Sequence, residues 1–373
     1  MLQRLYVHNF RCLDNFELKL AGTPSALLVG KNGSGKSSVA RALKLLQRVA
    51  RGQNLVKELV RAEDCFLGRT SVPLRFELEA ILAGRTYRYL LALELPEHFR
   101  QSRIQEESLV VDDQVVFKRV HGQVSLTRGD PQKPEAQFIV DWHLVALPVI
   151  QDRSEGGPLT VFRQWLARMM ILAPVPGLMT GSATGDSLEP EEDGSNFADW
   201  LSGLLAEHPA AYTDITAYLQ QVMPDLAVFR NLAAGRDAKN LMVRFAAGQA
   251  QHEMAFDQLS DGEKCFFLSA VVLAANRAYG PLFVFWDEPD NYLSLSEVGH
   301  FVMSLRQGFQ GDQAGRGQIL ITSHSEEVVR KFSGDNTWVL GRRSHLEPTL
   351  IRPLSELPTA DVVLSLITGD LEP

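Results

Sequence analysis

Eight residues near the start of the chain, Gly30-Lys31-Asn32-Gly33-Ser34-Gly35-Lys36-Ser37, have the spacing G-x-x-x-x-G-K-S. Glycines at Gly30, Gly33 and Gly35 let the backbone curl until its N–H groups converge on one anion. The following helix N-terminus adds a favourable dipole. Lys36 is placed to reach the β- and γ-phosphates of a nucleoside triphosphate, and the Ser37 hydroxyl to ligate Mg²⁺. Asn32, Ser34 and Ser38 stand in or beside the loop and count with its cofactor-binding residues. A second chemical group follows far downstream. Leu282-Phe283-Val284-Phe285-Trp286 is an apolar run that ends in Asp287 and Glu288. Two acids at the end of a buried strand are costly unless something compensates them. Asp287 is placed to hold Mg²⁺ or its water shell, and Glu288 to act as the base that polarises an attacking water.

These residues need particular elements around them. Ala26-Leu27-Leu28-Val29 reads as a strand buried on both faces, and Val39, Leu43 and Leu46 repeat at helical spacing behind the glycines. Strand, glycine loop and helix form the context that a phosphate loop requires. Leu5, Val7, Phe16, Leu18 and Leu20 alternate as in half-buried antiparallel strands. From Val72 to about Leu126 the pattern predicts a β-meander, with turns at Gly84, Asp112-Asp113 and His121-Gly122. Asp130-Pro131 and Pro134 mark a polar connector. Residues 151–225 predict helices through Phe162/Trp165/Leu166/Met169, Phe197/Trp200/Leu201/Leu204 and Tyr212/Ile215/Leu219/Val222. The span from Gly181 to Gly194 predicts a mobile loop. Trp165, Met169, Met170 and Trp200 are expected in the core. Strand-like segments return over Val228 to Phe256. The expected domains are 1–150, carrying the phosphate loop and an antiparallel β-subdomain; 151–225, a helical insertion; and 226–373, carrying the second half of the site.

The bulk composition limits the function classes. The chain has 373 residues, room for two or three domains at roughly 150 each. Its net charge of −8 argues against a surface that is wholly a nucleic-acid platform. Cys12, Cys65 and Cys265 are odd in number and show no CxxC, which fits a reducing compartment and gives no structural zinc site. The N-terminus lacks a signal-peptide core. The most apolar stretch, Cys265 to Trp286, is interrupted by Asn276, Arg277, Gly280 and Pro281, so no membrane span is expected. A soluble cytoplasmic protein follows as the expectation. Arg342-Arg343 and Arg100–Arg103 are small basic clusters, expected as solvated loops.

With the phosphate loop, the segments Leu259-Ser260-Asp261-Gly262-Glu263, Asp287-Glu288-Pro289-Asp290 and Thr322-Ser323-His324-Ser325 resemble the ABC-type ATPase heads. The likeness is closest to the RecF/SMC/OLD-like group. Leu5-Tyr6-Val7-His8-Asn9-Phe10-Arg11 resembles the opening strand of those heads. The segment from Ser195-Asn196-Phe197 through Pro209 resembles the helical insertion of bacterial OLD-like AAA ATPases. The resemblance implies an α/β P-loop head with a mixed sheet, an antiparallel β-subdomain and a helical insertion. It implies ATP and Mg²⁺ as cofactors and head-to-tail homodimers, with larger assemblies open. Ser260 and Gly262 would contact the γ-phosphate held by the other protomer. Asp290 would lie in the loop that communicates across the dimer, His324 would be the switch residue at the γ-phosphate, and Arg11 would approach the nucleotide.

Several positions depart from the family pattern. The signature reads LSDGEK, with Asp261 adding a charge. Asn291-Tyr292-Leu293-Ser294-Leu295 stands where OLD-like relatives often carry His-Pro. No glutamine-loop residue is assignable, since Gln47 and Gln53 fall too early. No toprim-like acidic constellation follows His324, so a fused nuclease is not expected. The leading expectation is a sensor or regulatory ATPase for a separate effector, such as a nuclease, in bacterial phage defence. The alternatives are a RecF/SMC-like DNA-repair ATPase bound to nucleic acid, a transporter subunit, and a nucleotide clamp with little turnover.

Overall fold

The computed structural model describes residues 1–96, 101–127, 136–152, 156–235, 238–310, 317–332 and 334–357. The chain divides into two compact units. One holds the described residues of Met1–Met169 and Gly334–Pro373, the other those of Met170–Ser333. The expected connector at Asp130, Pro131 and Pro134 lies outside the described residues, as does Arg100.

The first unit opens with β1 (Leu2–His8), β2 (Phe16–Lys19) and β3 (Ser25–Val29), then α1 (Lys36–Ala50) and the short α2 (Val56–Leu59). Every residue of β3 is buried, as the apolar run Ala26–Val29 requires of most of it. Val39, Leu43 and Leu46 of α1 are fully buried. Then come β4 (Leu74–Leu82), β5 (Arg85–Glu94), β6 (Arg103–Val111), β7 (Gln114–Val120), β8 (Gln123–Leu126) and β9 (Ala136–Ile139), followed by α3 (Pro158–Ala167). Alternation puts Leu74, Phe76, Leu78, Ala80 and Leu82 on one buried face of β4. The strand order is β2-β1-β4-β5-β6-β7-β8-β9, and every neighbouring pair is antiparallel. Ala83-Gly84 and Asp112-Asp113 form two-residue hairpin turns with both residues at positive φ, the geometry that matches the strand twist.

A buried polar knot holds this sheet to the segment that follows it. Glu107 and Arg119 are both fully buried and 3.8 Å apart. Glu107 accepts from the amides of Ala146 and Leu147 at 2.7 and 2.8 Å and from the Tyr89 hydroxyl at 2.9 Å. Arg119 donates to the carbonyls of His121, Leu144 and Asp141. Burial holds the Glu107 carboxyl above the usual carboxylate range, despite two amide donors and Arg119.

The second unit runs β10 (Met170–Leu172), β11 (Ser182–Ala183), α4 (Phe197–Glu207), α5 (Ala211–Val222), β12 (Leu226–Ala233), β13 (Lys239–Ala247), β14 (Ala250–Ala255), α6 (Asp261–Tyr279), β15 (Phe283–Trp286), α7 (Leu295–Gln310), β16 (Gln318–Ser323) and α8 (Glu326–Arg330). β10, β15 and β16 pair in parallel in that order. β12, β13 and β14 form an antiparallel group, with β11 also on β13. Met170–Leu172, inside the segment read as a helical insertion, is therefore a sheet strand. At three residues it is too short for local periodicity to reveal. Trp200, Met169 and Met170 are buried, and Trp165 is half-buried.

The stretch read as a mobile loop is tied down. Asp199 Oδ1 accepts from the amides of Thr184 and Gly185 at 2.7 and 2.8 Å, and Asn196 bridges Glu191 N and Glu189 O. Gly203 lets this stretch approach α4, since a Cβ there would lie 2.2 Å from Ser187 O. The chain then returns to the first unit with β17 (Thr337–Gly341), parallel to β3, and β18 (Leu350–Pro353), antiparallel to β17. Among the described residues no helix is long and apolar enough to cross a membrane.

The Glu107–Arg119 knot gives a stability prediction. Arg119→Met leaves a buried carboxylate without its cation and should cost about 3–5 kcal/mol in urea unfolding at neutral pH. Because the Glu107 carboxyl is raised in the fold, its contribution is most favourable below the ordinary carboxylate range. That contribution declines as pH rises toward its folded value. Unfolding midpoints measured across acidic to neutral pH should therefore show a slope that Glu107→Gln reduces.

Candidate nucleotide-binding site

In the first unit, β3 delivers the chain to Gly30 and α1 leaves from Gly35. Gly33 and Gly35 sit at φ 79° and 113°, where a side chain is strained. A Cβ on Gly30 would lie 2.3 Å from Leu340 O, and one on Gly35 2.5 Å from Thr349 Oγ1. Lys36 is buried and donates from Nζ to Gly30 O at 2.8 Å, bridging the two ends of the loop. Asn32, Gly33 and Ser37 are exposed, Ser34 is buried and Ser38 half-buried. No side chain caps the N-terminus of α1, and the buried Ser34 Oγ has no partner. A loop with an uncapped helix start is suited to an anion, whose oxygens would take the amide donors.

Two braces were invisible in the sequence. The Thr349 hydroxyl donates to Ser34 O at 2.8 Å, while its amide donates to Cys12 O at 2.8 Å. Cys12 Sγ donates to Ser38 Oγ at 3.2 Å. Neither residue belongs to a motif, so only the fold reveals them. Arg11 is in the left-handed region at φ 54°. Its guanidinium pairs with Asp64 Oδ1 at 2.8 Å, so Asp64 fixes its position. Gln47 is buried and donates to Met169 O, a structural use. Arg103 pairs with Glu94 at 2.7 Å and stacks over Trp142.

In the second unit, Trp286 lies opposite Ile321, which brings the next residues on each strand together. Thr322 Oγ1 donates to Asp287 Oδ1 at 2.5 Å and accepts from the Glu288 amide at 2.9 Å. Glu288 adopts φ 47°, a left-handed conformation uncommon outside glycine. Its Oε1 lies 2.5 Å from His324 Nε2, and its Oε2 accepts from Asn291 Nδ2 at 2.8 Å. Asp290 Oδ2 accepts from Ser323 Oγ at 2.8 Å, and Oδ1 is buried without a partner. Burial pushes the Asp290 carboxyl above its usual range. The structure thus brings Asp287, Glu288 and His324 into one bonded group through Thr322, with Asp290 held by the neighbouring Ser323. Asn291, unassigned from sequence, belongs to it.

The signature residues start α6. Ser260 is its N-cap, accepting from Glu263 N at 3.3 Å, and Glu263 returns the contact to Ser260 N at 2.7 Å. The pattern S-x-x-E was the readable signal for this capping box. Gly262 is close to the segment after Asp290, where a Cβ would lie 3.1 Å from Tyr292 O. Lys264 is buried and donates to Pro176 O and Met179 O at 3.2 and 3.3 Å, beneath the Phe256 ring. It ties the signature helix to the turn after β10. Among the described residues no group of three or more His, Cys, Asp or Glu could hold a metal alone. That suits Mg²⁺, which takes one or two protein oxygens and completes its shell with phosphate and water.

Two family models match. Residues 1–80 match the AAA ATPase domain, and residues 192–330 match the family described as "AAA domain, putative AbiEii toxin, Type IV TA system". A 46-residue stretch is 48% identical to the OLD nuclease of Thermus scotoductus (strain ATCC 700910 / SA-01), covering 12% of this chain and 8% of that protein. An SMC head solved bound to the C-winged helix domain of ScpA aligns over 95% of this chain and 98% of its own, at 14% identity and TM-score 0.57. The SMC head domain from Thermotoga maritima aligns over 94% and 98%, at 15% identity and TM-score 0.50. The fold is that of the SMC heads. With the AAA models and the OLD match, these likenesses support an OLD/SMC-like AAA ATPase head, a P-loop NTPase.

Two substitutions test the local geometry. Gly35→Ala forces a side chain into a left-handed position against Thr349, at about 1–3 kcal/mol. Nucleotide affinity by calorimetry should fall roughly 10- to 100-fold. Thr322→Val leaves the Glu288 amide without its acceptor, and urea unfolding should show a loss of about 1–3 kcal/mol.

Proposed function

We propose that this chain is a Mg²⁺-dependent ATP hydrolase that completes its active sites by pairing two heads, head to tail. The observation that carries this reading is Glu288, set by Thr322 through its backbone and by His324 and Asn291 through both carboxylate oxygens. A carboxylate oriented this closely, on a strained backbone, suits a base that must face one water.

Each residue has a role in this reading. The loop amides of Gly30, Asn32, Gly33, Ser34 and Gly35, with Lys36, hold the phosphate charge. Ser37 and Asp287 would hold Mg²⁺ through their oxygens, and the ion would supply charge neutralisation to the bound phosphates. Glu288 orients water and takes its proton when His324 or Asn291 releases one carboxylate oxygen. Ser38 and Arg11 flank the nucleotide. Ser260 and Gly262 of the second copy close over the γ-phosphate, once Ser260 gives up part of its contact with Glu263. Asp290, buried beside Ser323, carries the state of the site toward the partner.

The biological output we infer is regulation of a separate effector, in keeping with a defence ATPase and supported by the likeness to an OLD nuclease and an AAA toxin-system family. The SMC-head fold supports a second reading as a DNA-repair or DNA-binding ATPase. A cytoplasmic setting accords with either.

Glu288→Gln keeps the shape of the site and removes the base. ATP binding should persist while turnover falls about 10²- to 10⁴-fold, and light scattering should show ATP-dependent dimers. Unchanged turnover would remove Glu288 from the mechanism.

A further inference from the structure

Beside the phosphate loop of the first unit is a cavity of about 160 Å³, lined by Lys31–Ser34 and by the turn after β17. Leu340, Gly341 and Leu350 line part of its wall, and Lys31, Arg342, Arg343 and His345 bring basic groups to it. No carboxylate lines it among the described residues. Arg342 is partly committed, donating to the carbonyls of Glu347 and His345 at 3.0 and 2.8 Å, which shapes the turn. Lys31 and Arg343 are exposed, and no side-chain hydrogen bond or ion pair engages either among the described residues.

The size of the cavity narrows its ligand. Small-molecule sites usually enclose roughly 300–1,000 Å³, so this space suits a single side chain better than a second nucleotide. A nucleic-acid backbone would need a row of phosphate contacts, whereas Lys31, Arg342 and Arg343 gather at one point. An acidic side chain fits both the volume and the charge.

The chain carries such a group where the dimer reading needs one. Asp261 is exposed at the first turn of α6, between Ser260 and Gly262, and no side chain of its own chain pairs with it among the described residues. If Ser260 and Gly262 close over a partner's γ-phosphate, Asp261 brings a negative charge toward a triphosphate. That is repulsive unless a cation meets it. Lys31 is part of the phosphate loop itself, so a segment covering the loop passes over this cavity.

We propose that the cavity receives the Asp261 carboxylate of a second copy of this chain, with Arg343 and Lys31 as its cations. The contact makes head pairing selective for this chain's own LSDGEK signature. The proposal rests on the head-to-tail reading given above.

The test uses the full chain carrying Glu288→Gln, with the dimer dissociation constant in ATP measured by analytical ultracentrifugation. Asp261→Arg and Arg343→Asp should each weaken pairing by about tenfold or more, and the two together in one chain should recover most of that loss. ATP affinity of the monomer, unchanged, shows that each variant is folded. If the parent chain pairs with ATP but the double reversal is no better than the sum of the singles, this proposal falls and the head-to-tail reading stands. If the parent chain does not pair, both fall. If Arg343→Asp leaves pairing intact but removes salt-sensitive DNA binding, the cavity is a backbone-phosphate contact and the proposal is overturned.

Discussion

Asp287 and Glu288 end a strand whose four residues are all buried, and one hydroxyl manages both. Thr322 Oγ1 donates to the Asp287 carboxylate and accepts the Glu288 amide. This works only because β15 and β16 run parallel with Trp286 opposite Ile321. A slip of one residue would turn Thr322 to the other face, taking its hydroxyl from the Asp287 carboxylate and the acceptor from the Glu288 amide. The rest of the group follows from that register. Ser323 meets Asp290, His324 meets Glu288, and Asn291 folds back to hold the second oxygen of Glu288. β10 adds the third strand, and its Leu172 carbonyl accepts from the Asp287 amide at 2.7 Å.

The signature is arranged by a different economy. In the single chain Ser260 and Glu263 satisfy one another in a closed capping box, so the start of α6 is capped without a second copy. Lys264 anchors the next turn to the backbone after β10. A buried ammonium held only by carbonyls and a ring face is costly compared with an apolar residue of its size, which fits a positioning role better than a purely structural one. The signature helix and the carboxylate strand are thus both fastened to the same short strand and its turn.

Much of this was readable in advance because it is local. The phosphate loop is a contiguous motif, and its strand and helix announce themselves by burial run and by spacing at Val39, Leu43 and Leu46. The hairpin turns at Gly84 and Asp112-Asp113 are marked by residues that tolerate positive φ. What could not be read depends on contacts distant in sequence. Thr349 braces Ser34 across more than three hundred positions. Arg11 is steered by Asp64. Met170–Leu172 is a strand only because β15 accepts it. The polar span from Gly181 to Gly194 looked mobile by composition, yet Asp199 and Asn196 satisfy its amides and Gly203 lets it lie close. Composition reports solubility and turn content, and hydrogen-bond partners decide order.

The central claim is that one copy's phosphate loop works with another copy's signature. Mixing two inactive variants tests it most directly. Lys36→Ala removes the phosphate-loop cation, and Ser260→Arg blocks the signature. Each alone should hydrolyse no ATP, because every dimer then has two broken sites. Mixed in equal amounts, some dimers should hold one intact site, formed by the loop of the Ser260→Arg copy and the signature of the Lys36→Ala copy, and turnover should return. If Ser260→Arg alone turns over ATP normally, or the mixture stays as inactive as its parts, the composite site does not exist.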